Sequence, residues 1–140
     1  GVVTDVLNIR FNEIKKCFTS KAYLSVIFMA GSTLEGMLLG IALNNPKAFN
    51  QANSAPKNKE GKIKQFPEWS LSQLIDTASE LGLLKEDIKK FSHALRDFRN
   101  YIHPYQQVSS GFNPDEHTAK ICFQVLKAAI FQLSTRNKNG

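Results

Sequence analysis

Apolar residues recur at steps of three and four along most of the chain, a spacing that places them on one face of a helix. In the first such segment, 3–18, that face carries Leu7, Phe11, Ile14 and Phe18. The sequence has no sustained alternation of apolar and polar residues, the pattern typical of strands. The pattern therefore predicts an all-α fold, a single bundle of four to five helices.

The segment 21–44 is apolar on nearly every side, and its length would also suit a membrane span. Glu35 lies within it, however, and a carboxylate at bilayer depth costs roughly 2.5–3.5 kcal/mol. We therefore interpret this segment as the central helix of a soluble bundle, and we expect no membrane partner.

Three more helices are predicted, at 70–81, 86–102 and 114–135. Ser70 followed by Gln73 has the spacing of a capping box at the start of the third helix. Pro104 disfavours helical geometry at His103, so we expect the fourth helix to end there. Pro114 suits the first turn of the fifth helix.

Two segments lack an apolar face. Residues 45–68 are rich in Asn, Lys, Pro and Gly, which predicts a long flexible loop. We expect residues 45–65 to be the most mobile internal segment of the chain. Its basic side chains could steer a polyanion toward a site or could simply be solvated; they are Lys47, Lys57, Lys59, Lys62 and Lys64. Residues 134–140 are polar and are expected to form a frayed tail.

Composition agrees with one domain over residues 1–140, because 42% hydrophobic and 21% charged residues suffice for a single core. Glycine at position 1 is compatible with a domain cut from a longer protein. The net charge of +6 would allow contact with RNA, DNA or anionic lipid. Many domains that bind no polyanion carry a similar charge, so charge alone does not select a function.

The two cysteines, Cys17 and Cys122, lie in separate apolar segments, and the three histidines do not have the spacing of metal ligands. We expect two reduced, buried thiols in a cytoplasmic protein. The same spacings predict no metal site and no cofactor.

The fourth helix carries a basic stripe, Arg96, Arg99 and His103, at the border of its apolar face. Two guanidinium groups and an imidazole suit an anionic group such as phosphate. Basic residues in the last turns of a helix also interact favourably with its negative end. The arginines could equally pair with Glu35 or Asp97, so the stripe fits both a functional and a structural role.

The segment LRDFRNYIHPY, Leu95–Tyr105, resembles the signature of the HEPN family. In that family an arginine, usually followed by a polar residue, precedes a histidine by four to six residues. Arg96 and Asp97 stand in that relation to His103, and Tyr105 matches a tyrosine that some members add. The resemblance extends in outline to the helical plan of nearly the whole chain.

The pair Arg99-Asn100 looks most like the family's arginine and polar residue, but only three residues separate Arg99 from His103. Two assignments stay open. Either Arg96 takes the family role, or the motif is degenerate, which puts catalysis in question.

The resemblance implies an RNA- or nucleotide-binding or assembly module that cuts nothing, or a metal-independent endoribonuclease of the toxin or defence type acting as a homodimer. In the second case His103 would assist proton transfer and Arg96 or Arg99 would stabilise phosphate charge. Asn100 and Tyr105 would join these residues in contacting phosphate or RNA, with Glu35 and Asp97 in support. The resemblance also implies a nucleotidyltransferase antitoxin as a partner that modifies Tyr105.

Overall fold

Seven α-helices make up most of the chain between residues 2 and 137, the part that the computed structural model describes. They are α1 (Val2–Thr19), α2 (Tyr23–Asn44), α3 (Pro46–Gln51), α4 (Leu71–Glu80), α5 (Glu86–Arg99), α6 (Pro104–Ser110) and α7 (Glu116–Arg136). Short 3₁₀ turns cover Phe66–Glu68 and Asn100–Ile102. Within the described residues the only β-type pairing is one isolated antiparallel bridge, between Lys57 and Ile63. The predicted all-helical class is confirmed.

The five predicted helices are present as α1, α2, α4, α5 and α7, with ends that differ by a few residues. The predicted count of four to five is not confirmed, because α3 and α6 are additional. Each begins with a proline at its first position, Pro46 and Pro104, where the fixed proline φ favours a helical start. At six and seven residues they are too short to show a periodic apolar face.

Helix α2 lies at the centre of the bundle, packed against α1, α4, α5 and α7. Its buried residues are Val26, Ile27, Ala30, Gly31, Thr33, Leu34, Leu38, Ile41 and Ala42. Helix α7 runs in the same direction, since Asn45 after α2 donates a hydrogen bond to Asn137 after α7. Helix α5 runs the opposite way, because the Lys85 N–H at its start bonds Gln132 near the end of α7. By length and composition alone α2 could also cross a membrane, and half of its most apolar stretch is buried in the bundle.

Several helix ends follow from the sequence. Ser70 and Gln73 form the expected reciprocal capping box at the start of α4. Helix α7 begins at Glu116, two residues later than predicted, because the Asp115 side chain accepts the Thr118 N–H and so caps the helix. That bond, the largest influence on the carboxyl group, holds the pKa of Asp115 below its ordinary value.

The segment 45–68 has more structure than its composition predicts. Phe49 is fully buried, and its ring lies 6.3 Å from that of Trp69 and 6.4 Å from that of Phe66. The Trp69 indole N–H donates to the Lys64 carbonyl at 2.9 Å. The loop predicted for 45–68 is therefore interrupted by helix α3, and its Phe49 and Phe66 rings pack against the ring of Trp69. Its mobility stays a prediction.

The end of the chain also makes contacts. Helix α7 continues to Arg136, whose guanidinium donates to the Gly82 carbonyl at 2.9 Å. The frayed tail predicted for 134–140 is thus helical and bonded as far as Arg136, and 138–140 lie outside the described residues.

The two cysteines are both free thiols but differ in exposure. Cys122 is buried, and burial raises the pKa of its thiol to about 11, which suppresses the reactive thiolate at neutral pH. Cys17 is only half-buried, so the expectation of two buried thiols holds for Cys122 alone.

Glu80, on the last turn of α4, holds the segment after α3. Its carboxylate accepts the backbone N–H of Asn53 at 2.7 Å and that of Ser54 at 2.9 Å. The bond from Asn53 is the main reason that the pKa of Glu80 lies below its ordinary value of 4.5. A carboxyl group whose pKa is lowered by folding adds stability above its unfolded pKa, and this stability is lost as pH falls from there through the lower, folded pKa.

We predict that Glu80→Gln lowers the Tm at pH 7 and that the difference from wild type vanishes as pH falls below 4.5. Thermal unfolding, followed by circular dichroism over a pH series, measures this difference in Tm. Glu60→Gln is the control, because Glu60 is an exposed glutamate in the same segment. A difference between Glu80→Gln and wild type that stays constant below pH 4.5 would contradict the assignment.

Candidate functional site

The candidate site lies where α5 ends and the chain turns into α6. Arg99 is the last residue of α5, and Tyr101 leaves helical geometry with ψ of 15°. His103 is extended with ψ of 123°, as expected for a residue before a proline, and Pro104 then starts α6. The fourth predicted helix thus ends at the predicted place, with its last turn in 3₁₀ form.

An aromatic stack braces this turn. The ring of Phe112, after α6, lies 4.7 Å from the ring of Tyr101 and 5.4 Å from that of Phe98, with near-parallel planes in both pairs. Such offset stacks stabilise by about 0.5–1.5 kcal/mol beyond the area they bury. The stack therefore joins the residue after α6 to both α5 and the turn that follows α5.

Arg99 points at α2. Its stem lies against Gly31, so closely that a Cβ added there would come 2.7 Å from the Arg99 Cβ. The guanidinium Nη2 is 3.7 Å from a carboxylate oxygen of Glu35, one turn along α2. The Arg99 Nε is buried and has no hydrogen-bond partner among residues 2–137. Arg99 is thus held by packing and by charge.

Arg96 pairs with Asp97, the second carboxylate that the sequence offered as a partner for the arginines. Its Nη2 is 2.6 Å and its Nε 3.2 Å from Oδ1 of Asp97, the next residue along the helix. The Asp97 side chain is 62% exposed, against 24% for that of Arg96. This pair faces solvent, where an ion pair contributes up to about 1 kcal/mol. The two arginines therefore have different carboxylate partners, Asp97 for Arg96 and Glu35 for Arg99.

The remaining motif residues lie at the surface. His103 and Asn100 are exposed, and the His103 ring has no hydrogen bond to any part of the chain that the structure describes. Tyr105 is 82% exposed on the first turn of α6. The structure thus brings Arg99 to Glu35 and Arg96 to Asp97, but it gives His103, Asn100 and Tyr105 no protein partner among the described side chains.

Large apolar side chains flank His103. Ile102 of the 3₁₀ turn is 52% exposed, and Tyr105 and Val108, three residues apart on α6, are 82% and 81% exposed. We call these three residues the apolar strip. An apolar group of this kind on a soluble surface commonly marks an interaction site.

Some residues around the site were not found from the sequence. Gly31 is one of several glycines in α2, and nothing in the sequence shows that α5 crosses there. Arg10 of α1 donates to the Ser32 hydroxyl at 2.9 Å. The Nε2 atom of His93 lies 2.7 Å from the Asp76 carboxylate of α4. Short-range spacing carries no signal for such contacts between helices.

Comparison with family models, with curated proteins and with solved structures found no match to this chain. Residues 2–137 contain no group of three or more His, Cys, Asp or Glu side chains that could hold a metal ion. The resemblance to HEPN domains accordingly rests on the segment Leu95–Tyr105 and the order of the helices.

We predict that Gly31→Ala destabilises the protein by about 1–3 kcal/mol, because the new methyl group would overlap Arg99. The overlapping atoms belong to the base of the arginine side chain, which cannot swing away. Urea denaturation measures the free energy of unfolding.

Gly36→Ala is the matched control on the same helix. A Cβ at Gly36 meets nothing within 4 Å, so alanine should stabilise by about 0.5–1 kcal/mol through its better helix propensity. Equal effects of the two substitutions would show that the close crossing of α2 and α5 is wrong.

Proposed function

We propose that this chain is a HEPN-like, non-catalytic assembly module that forms a homodimer through its motif-bearing side and binds RNA or a nucleotide in the cytoplasm. The observation that carries the proposal is the exposure of the apolar strip directly beside His103. Burying three large apolar side chains against a second copy would remove them from water, at about 25 cal/mol per Å² of apolar surface. A two-fold contact of this kind would bring the two copies of His103 to the same interface.

The charges of the motif favour a binding role over catalysis. A transition state that gathers negative charge is stabilised by positive groups already placed to face that charge. Arg96 has the Asp97 carboxylate within 2.6 Å, and Arg99 has Glu35 at 3.7 Å. Both arginines would have to exchange a carboxylate for a phosphate before acting on RNA, so neither is a positive group preorganised for a cleavage transition state.

We predict that the wild-type protein sediments as a dimer at high concentration and that Val108→Asp makes it a monomer. A charged group at the centre of an apolar contact would be desolvated without a partner. Sedimentation velocity over a concentration series measures the shift.

Ile9→Asp is the control, because Ile9 is an apolar residue of α1, outside the apolar strip, with a 62% exposed side chain, and its substitution should leave the dimer intact. A wild-type protein that stays monomeric at the highest concentration would count against the assembly proposal, and so would equal effects of Val108→Asp and Ile9→Asp.

A second candidate function is a metal-independent endoribonuclease of the toxin or defence type. The observation that favours it is the exposed His103 ring, free of protein partners within residues 2–137, one turn after Arg99. In this mechanism the ribose 2′-oxygen bonds to the adjacent phosphorus as the bond from phosphorus to the 5′-oxygen breaks, which gives a 2′,3′-cyclic phosphate and a 5′-hydroxyl. His103 assists the transfer of the proton lost by the 2′-hydroxyl and gained by the 5′-oxygen, while Arg96 or Arg99 stabilises the phosphate oxygens. Tyr105, 82% exposed, would present its hydroxyl to a nucleotidyltransferase antitoxin.

If the protein cleaves RNA, we predict that His103→Ala abolishes cleavage while the Tm stays within a few degrees of wild type. His103 is exposed, so its removal leaves no cavity. Cleavage of a mixed RNA, with and without chelator, measures this, and activity should survive the chelator.

Arg96→Ala is the cleaner test of the two arginines. Arg99→Ala also empties the crossing at Gly31 and leaves Glu35 without its cation, so its effect on cleavage must be corrected for the fraction unfolded. Wild-type rates in the His103→Ala protein would exclude the nuclease mechanism.

A further inference from the structure

A tight basic turn lies outside the motif, at residues 57–64, and we call it the lysine turn. Lys57 pairs with Ile63 in an antiparallel bridge, and the Asn58 N–H donates to the Lys62 carbonyl at 2.8 Å. The Asn58 side chain accepts the backbone N–H groups of Glu60 at 3.0 Å and Lys62 at 2.9 Å. These bonds fix the turn in one conformation.

The lysine turn is also joined to the bundle. The Lys64 N–H donates to the carbonyl of Pro56, and the Lys64 carbonyl accepts the indole N–H of the buried Trp69. Ile63, the one large apolar residue of the turn, packs against the core. The lysines therefore stand on a fixed support.

The charge of the lysine turn is concentrated and uncompensated. Lys57, Lys59, Lys62 and Lys64 with Glu60 give a net charge of +3, half of the +6 of the whole chain. None of these four lysines forms an ion pair with a described side chain, whereas Arg96 and Arg99 both do. Holding like charges together in a fixed turn raises the energy of the folded state unless an anion is bound there.

We propose that the lysine turn is a second contact surface for RNA, which binds consecutive phosphates of a single strand. The inference rests on the proposed RNA-binding function and places most of the electrostatic affinity away from the motif. Phosphate contacts of this kind are made by point charges and carry no sequence preference. Basic residues that dock on a bilayer are usually accompanied by apolar side chains that insert. Ile63 faces the core instead, which favours RNA over lipid.

The test is the binding of a fluorescently labelled single-stranded RNA of mixed sequence, followed by anisotropy over a series of KCl concentrations. The triple variant Lys57→Gln, Lys59→Gln, Lys62→Gln should bind more weakly and flatten the slope of log K against log salt by about 2. This follows from a slope of about 0.7 for each phosphate contacted on a single strand.

Two controls separate a placed surface from general attraction. The triple variant Lys15→Gln, Lys85→Gln, Lys90→Gln removes the same charge from exposed positions elsewhere, and its slope should stay near wild type. Asn58→Ala keeps every lysine but removes the bonds that fix the turn. It should weaken binding about fivefold with little change in slope, as expected from the loss of net hydrogen bonding.

Equal flattening by the two triple variants would overturn the proposal, and so would wild-type binding that is undetectable at low salt. Binding of phosphatidylserine vesicles that exceeds RNA binding and is lost in the first triple variant would overturn it in favour of a lipid surface. The dimer test with Val108→Asp does not depend on these lysines. If the wild-type protein is a monomer but the lysine variants lose RNA binding, the proposed assembly is refuted and the lysine turn is supported. If the protein is a dimer but the lysine variants bind RNA as wild type does, the lysine turn is refuted and the assembly is supported.

Discussion

The burial of α2 is the constraint on which the rest of the structure depends. This helix has apolar residues on nearly every side, so four other helices surround it, and the hydrophobic effect fixes their positions more firmly than any polar contact does. Helix α5 can approach closely because Gly31 has no side chain. Glu35 lies half-exposed at the edge of that contact, within reach of Arg99. The position of the motif therefore follows from the packing of α5, which carries its two arginines, against α2.

Around the motif, both arginines have a carboxylate partner, while three large apolar side chains are left exposed. Arg96 and Arg99 each face a carboxylate, but Ile102, Tyr105 and Val108 face solvent. At the lysine turn the situation is reversed, because charge is left unmatched there and Ile63 is packed. The domain therefore carries an exposed apolar surface and an exposed basic surface in different segments of the chain.

The long helices could be predicted because each carries an apolar face over several turns, and the start of α4 because Ser70 and Gln73 act through neighbouring backbone atoms. Helices α3 and α6 could not, since one or two turns are too short for periodicity. The packing of Phe49 could not be predicted from the polar composition of 45–68, because its partner Trp69 lies 20 residues further along the chain. The pairing of Arg99 with Glu35 was one of several that the sequence allowed, and the distance between helices decided it.

The contact between Gly31 and Arg99 links two positions that are distant in sequence, and this limits the order in which they can change. A larger residue at position 31 would overlap both the Cβ and the Cγ at position 99, so it requires a shorter residue there and also a small separation of the two helices. A shorter residue at position 99, in turn, leaves Glu35 without its cation. The three positions therefore form a unit that would vary together across diverging copies of this gene, and such joint variation would reveal this helix crossing even where the motif itself has been lost.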